Sequence, residues 1–141
     1  MTRWGNAGAG VLLVARDTGR ILLTLRSEYV MEPGTWGIPG GKVDDDESPR
    51  KTAVRELREE LGVKAAAKDL SLLFSFIEPS FRYDTFMATI PHQKTARFKL
   101  NWESDDARWF SLSTLPSPLH FGARLMLRDP DVQQRLLAAR P

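Results

Sequence analysis

Residues 41–63 constrain this chain more than any other stretch: Gly41, five residues, Glu47, seven residues, then Arg55-Glu56-Leu57-Arg58-Glu59-Glu60-Leu61-Gly62-Val63. Ser48-Pro49 predicts a helix start. Serine can cap the free amides there, and proline is tolerated because its missing N–H has no partner in the first turn. Asp44, Asp45, Asp46 and Glu47 set negative charge beside the positive end of the helix dipole. Gly62 predicts the helix end, where a left-handed residue is commonly needed. Ala53, Val54, Leu57 and Leu61 make an apolar stripe fit to dock on a sheet. At spacings i, i+3 and i+4, Glu56, Glu59 and Glu60 gather their carboxylates on one face.

Clustered carboxylates repel one another, and that cost predicts a compensating cation. Oxygen ligands suit a hard divalent ion, Mg²⁺ first and Mn²⁺ as its substitute. Zinc fits poorly, because cysteine is absent and the two histidines, His92 and His120, lie outside the helix. An under-coordinated magnesium takes up phosphate oxygens, so the expected ligand is a polyphosphate. A bare Arg-Glu-Leu-Arg-Glu-Glu stretch would read as the solvated face of an amphipathic helix. Gly41 and Glu47 at fixed offsets change that reading: with positions treated as independent, a chance match is on the order of one in 10⁷.

Around this segment the chain alternates strands and helices. Residues 11–14 and 21–23 are short apolar runs joined by Asp17-Thr18-Gly19-Arg20, which predicts two strands and a turn. Residues 32–42, rich in glycine and proline, predict a shaped loop with brief extended pieces. Residues 70–77 and 81–90 read as strands around Glu78-Pro79-Ser80, and residues 107–110 as a further short strand. Residues 119–128 and 130–139 read as helices, with Asp129 capping the second. Strands before, between and after helices predict an α/β fold, a mixed sheet sandwiched between helices. At 141 residues, the whole of 1–141 is expected to form one domain.

Composition excludes several alternatives. Without cysteine there is no disulfide framework, thiolate metal site or cysteine nucleophile. Twenty basic against eighteen acidic residues give a net charge of +2. The sequence pI of 9.1 raises nucleic-acid binding, but the basic residues are scattered, so no specific nucleic-acid partner is indicated. Residues 1–10 lack the apolar stretch of a signal peptide, and the early apolar run 11–15 is too short to span a bilayer. The expected setting is the cytoplasm, with no membrane partner.

The 41–63 pattern is a complete match to the Nudix box and resembles the Nudix hydrolases, with the layout extending over about residues 10–115 and including Pro39-Gly40-Gly41. That resemblance implies a β-sheet between helices, with the box forming loop–helix–loop. It also implies Mg²⁺-dependent hydrolysis of a diphosphate linkage in a nucleoside diphosphate joined to another group. By the same resemblance, Glu59 and Glu60 are the main metal ligands, and Glu56 is a further ligand or a holder of coordinated water. The Gly40 carbonyl is the backbone ligand, and Arg55 orients nearby glutamates. Glu47 ties loop to helix, while Gly41 and Gly62 serve backbone geometry. Glu103, on the loop before the strand at 107–110, matches a glutamate that reaches the metal or activates water, with Asp105 or Asp106 as substitutes. Glu56 and Glu103 are both candidates for the general base.

Substrate choice is less legible. Arg26, after a strand, can meet a phosphate or stand as an exposed strand-end charge. Phe76, Phe81, Tyr83 and Phe86 can stack on a base, although their strand spacing suits core packing. Trp36 and Trp109 read as structural, and His92 and His120 as surface or packing residues. Short length and the position of Glu103 resemble the enzymes acting on (deoxy)nucleoside triphosphates. Residues 22–27 partly resemble coenzyme A pyrophosphatases, and Pro79 resembles a proline of ADP-ribose hydrolases. Dinucleotide polyphosphate hydrolysis and a non-catalytic nucleotide-binding regulatory role are further alternatives. The assembly is expected to be a monomer or homodimer.

Overall fold

A computed structural model describes residues 7–139. In chain order its strands and α-helices are β1 (Ala7–Ala15), β2 (Ile21–Arg26), β3 (Trp36–Gly37), β4 (Gly40–Lys42), α1 (Pro49–Leu61), β5 (Ser71–Glu78), β6 (Phe81–Ile90), β7 (Ser104–Phe110), α2 (Phe121–Arg128) and α3 (Pro130–Ala138). One mixed sheet runs β3-β2-β1-β6-β5, with β4 on β1 and β7 on β2. β1 pairs parallel with β6 along its whole length, from Ala7 opposite Arg82 to Ala15 opposite Ile90. Its other edge changes partner, from β4 at Gly8–Gly10 to β2 at Val14. The fork between those partners lies beside the candidate site.

Side-chain alternation along β1 builds two cores. Ala9, Val11 and Leu13 pack with Leu22, Phe86 and Ala88 against Ala53, Leu57 and Leu61 of α1. Leu12 and Val14 pack with Ile21, Leu23 and Leu73 against Met126, Leu127, Val132 and Leu136 of α2 and α3. Helices therefore cover both faces, and the expected α/β sandwich is the observed architecture. Leu57 and Leu61 are fully buried, and each such side chain contributes roughly 2 kcal/mol to docking α1. At the ends of α1, the Ser48 side chain accepts from the Lys51 N–H, and Gly62 adopts φ 70°. Asp129 accepts from the amides of Asp131 and Val132 at the start of α3.

Element boundaries differ from expectation in an instructive way. β6 spans the expected residues, but β1 starts at Ala7 instead of residue 11. β7 starts at Ser104 instead of 107, and α2 at Phe121 instead of 119. Residues 7–10 have no large side chain to signal a strand. Their smallness has a spatial cause, because Tyr83 of β6 lies across them. An added Cβ on Gly8 would stand 2.7 Å from the Tyr83 ring, and one on Gly10 2.6 Å from its hydroxyl. Among the described residues no helix is long and apolar enough to cross a membrane.

Candidate metal centre

Arg55 organises the N-terminal half of α1. Its Nε and Nη2 donate to the two Glu47 carboxylate oxygens at 2.7 and 3.0 Å. Nη1 reaches Glu56 at 3.3 Å and Glu59 at 3.2 Å, and Nη2 also donates to the Lys42 carbonyl at 3.2 Å. Glu47 accepts in addition from the Thr52 hydroxyl at 2.8 Å and the Asp44 N–H at 3.2 Å. The Arg55 hydrogen bonds outweigh burial and hold the Glu47 carboxyl down to about 2. Loop and helix are thus joined by a charge pair whose side chains are 26% and 15% exposed.

Arg55→Ala strands that carboxylate, and we expect a loss of about 2 kcal/mol at neutral pH, measured by urea unfolding. Because the folded pKa of Glu47 is depressed, its stabilisation is present above about 4.5 and is lost as pH falls towards about 2. The variant should therefore lose less stability than the wild type across that acid range. An unchanged acid profile would remove the pair from this role.

The second group is acidic. Glu56, Glu60 and Glu103 each present a carboxylate oxygen within 4.8 Å of the other two. Glu56 and Glu60 are buried, at 8% and 5% exposure. Glu60 accepts the Gly40 N–H at 2.7 Å. Burial first, and then the charges of Glu103 and Glu56, push the Glu60 carboxyl up to about 9, against the pull of that N–H. Burial also raises Glu56, opposed by its hydrogen bond to Glu60 and by Arg55.

Glu103 arrives from the residues just ahead of β7. Asn101 clasps it by accepting its N–H at 2.9 Å and donating to its carboxylate at 3.2 Å. The Glu103 carbonyl accepts from Ser27 at the end of β2 at 2.9 Å. This clasp was missed in the sequence, although an Asx residue two positions before the acid is a recognisable signal.

The remaining site residues divide clearly. Glu59 lies outside the acidic triad, with its side chain 45% exposed and engaged by Arg55. Asp106 pairs with Arg108 at 2.7 Å, and Asp105 is exposed, so neither joins the triad. Gly41 has no positive φ; a Cβ there would stand 2.5 Å from a Glu56 oxygen, so the position needs space instead of a special backbone. Arg26 donates from Nε to the Met31 carbonyl at 2.6 Å and so holds the loop after β2. Phe86 is core beside α1, whereas Phe76, Phe81 and Tyr83 lie on the opposite sheet face. His120 accepts the Gly122 N–H at 3.1 Å and stands 3.0 Å from Glu32.

The donor set fits a hard divalent cation. All three donors are carboxylates, and among the described residues no basic side chain forms an ion pair with Glu60 or Glu103. Without a cation, a buried carboxyl must keep a proton that water at neutral pH would ordinarily take. A divalent ion removes that conflict.

Comparison with known proteins places the chain in a family. The NUDIX domain family model matches residues 5–129. A putative 8-oxo-dGTP diphosphatase 3 from Mycobacterium tuberculosis is 30% identical over 143 aligned residues, covering 81% of this chain. The chain spans 65% of that relative's length, just under two thirds. A MutT NUDIX hydrolase from Burkholderia pseudomallei superposes with a TM-score of 0.72 at 29% identity, over 89% of this chain and 98% of that one. The Nudix hydrolase RenU from M. smegmatis gives 0.75 at 26% identity, over 99% and 90% respectively.

Proposed function

This chain belongs to the NUDIX family, and from that premise we propose that it hydrolyses a diphosphate linkage in a nucleoside diphosphate joined to another group, with a (deoxy)nucleoside triphosphate as its substrate. The observation that carries the proposal is the triad of Glu56, Glu60 and Glu103 within 4.8 Å. Held by these carboxylates and the Gly40 carbonyl, Mg²⁺ or Mn²⁺ would supply charge neutralisation at the phosphate oxygens and the leaving group. Glu59, which the resemblance makes a ligand, would complete the set once freed from its ion pair with Arg55.

Arg55 keeps Glu56 oriented, and the Asn101 clasp keeps Glu103 oriented. Either carboxylate can take the proton of the attacking water as its oxygen bonds to phosphorus and the bridging P–O bond breaks. The released phosphate carries away the bond's electron pair. Low exposure at Glu56 and Glu60 strengthens these electrostatic effects, because little water screens them.

For the substrate, the reading rests on the placement of Glu103 and similarity to a relative named as a putative 8-oxo-dGTP diphosphatase. ADP-ribose, dinucleotide polyphosphates and coenzyme A are the competing substrates. The test is a nucleotide panel assayed with Mg²⁺ and with Mn²⁺, followed by product analysis in ¹⁸O-labelled water. A (deoxy)nucleoside triphosphate should be cleaved at least about tenfold faster than ADP-ribose. Faster cleavage of ADP-ribose would overturn the substrate, and absence of turnover with either metal would overturn the activity.

A further inference from the structure

Tyr83 is placed unlike the other aromatic residues of the sheet. In register it stands opposite Gly8 of β1 and Phe76 of β5. It lies on the face turned towards α2 and α3, since the alternate positions Asp84 and Phe86 face α1 with Ala9 and Val11. Its side chain runs over β1 to β4. A Cβ on Gly10 would stand 2.6 Å from its hydroxyl, and a Cβ on Gly40 would overlap that hydroxyl. Glycines on two strands therefore clear the path of one phenol.

That path ends at a residue that also touches the acidic triad. Gly40, against which the hydroxyl ends, is the residue whose N–H holds Glu60 at 2.7 Å. Among the described residues the hydroxyl has no hydrogen-bond partner, and it is not sealed completely from solvent. Behind it the aromatic row continues away from the triad. Phe81 lies 6.4 Å from Tyr83 between ring centroids, Phe76 lies 6.5 Å from Phe81, and Phe121 at the start of α2 lies 6.3 Å from Phe76. One end of this row meets a residue of the acidic site, and the other ends at Phe121, whose ring lies 5.8 Å from the Arg124 guanidinium.

We propose that Tyr83 contacts the substrate, its hydroxyl donating a hydrogen bond to a phosphate oxygen on the nucleoside side of the scissile linkage. The inference rests on the hydrolytic reading above. A phenol suits this position because it donates without adding a charge beside the triad. If Tyr83 only filled the space over the glycines, phenylalanine would serve as well, and a hydroxyl pressed against Gly10 and Gly40 would gain nothing from its place.

The test is Tyr83→Phe, which keeps the ring. Calorimetry with each of the four deoxynucleoside monophosphates, and separately with inorganic pyrophosphate, reads the contact without turnover. The best-bound monophosphate should bind about tenfold more weakly to the variant, while pyrophosphate affinity stays within about twofold. In turnover assays KM should rise about tenfold with kcat little changed, and the thermal midpoint should not fall. Unchanged monophosphate affinity, equal weakening of pyrophosphate, or a wild type that binds no monophosphate would each overturn the contact. The two readings fail separately: Tyr83-dependent nucleotide binding without turnover defeats hydrolysis alone, and normal hydrolysis indifferent to Tyr83→Phe defeats the contact alone.

Discussion

Glu60→Gln is expected to reduce kcat/KM by about a thousandfold or more, roughly 4 kcal/mol of transition-state stabilisation. Glutamine preserves the size of the side chain and can still accept the Gly40 N–H, so the backbone at β4 keeps its anchor. What it removes is the negative charge that burial and two neighbouring carboxylates make costly. The same variant should therefore melt several degrees above wild type in cation-free buffer at pH 8. Loss of turnover with gain of stability is the signature of a residue held under electrostatic stress for function. Wild-type rates would remove Glu60 from the mechanism, and a large fall in melting temperature would mean that the carboxylate is structural.

Cation binding should stabilise the protein strongly at pH 8 and weakly at pH 5. Glu60 has a folded pKa of about 9 against an ordinary value of 4.5, so the folded state holds more protons than the unfolded chain between those limits. Stability contributed by this group is then complete below about 4.5 and declines as pH rises towards about 9. A divalent ion replaces the proton, so its benefit grows over the same interval and binding releases protons into the buffer. Thermal melts with Mn²⁺ and with chelator at the two pH values measure the effect, and at pH 8 the difference should reach several degrees. Equal shifts at both pH values would show that the ion does not displace a proton from this cluster.

The helix that carries the acids was almost fully legible, because its caps are local chemistry: a serine with a free hydroxyl, a proline without an N–H, and a glycine in the left-handed region. Which glutamates turn inward was also recoverable. At about 100° per residue, Glu60 lies about 60° from the centre of the Ala53–Leu57–Leu61 stripe, Glu56 about 100° and Glu59 about 160°. Spacing alone puts all three on one face, but the stripe says that Glu60 is drawn towards the sheet and Glu59 is turned towards Arg55. The start of β1 was not legible. Strand signals come from alternating apolar side chains, and Ala7-Gly8-Ala9-Gly10 offers only small ones. Its conformation is set by two neighbours distant in sequence, β4 and β6, and by the tyrosine that crosses it. Asn101 and Glu103 became partners in the same way, through a loop fixed to β2 at Ser27.

The parallel ladder between β1 and β6 also dictates when the site can form. Its paired residues lie about 75 positions apart, so the ladder must close a long loop before any of its bonds offsets the lost chain entropy. The β5–β6 hairpin and α1 are short-range units and can arise early, but Glu56 and Glu60 leave water only when α1 settles on a completed sheet. We expect the cost of burying them to be felt late, on the native side of the folding barrier. Relieving it slows unfolding far more than it hastens folding, so a bound ion acts chiefly as a brake on the chain coming apart.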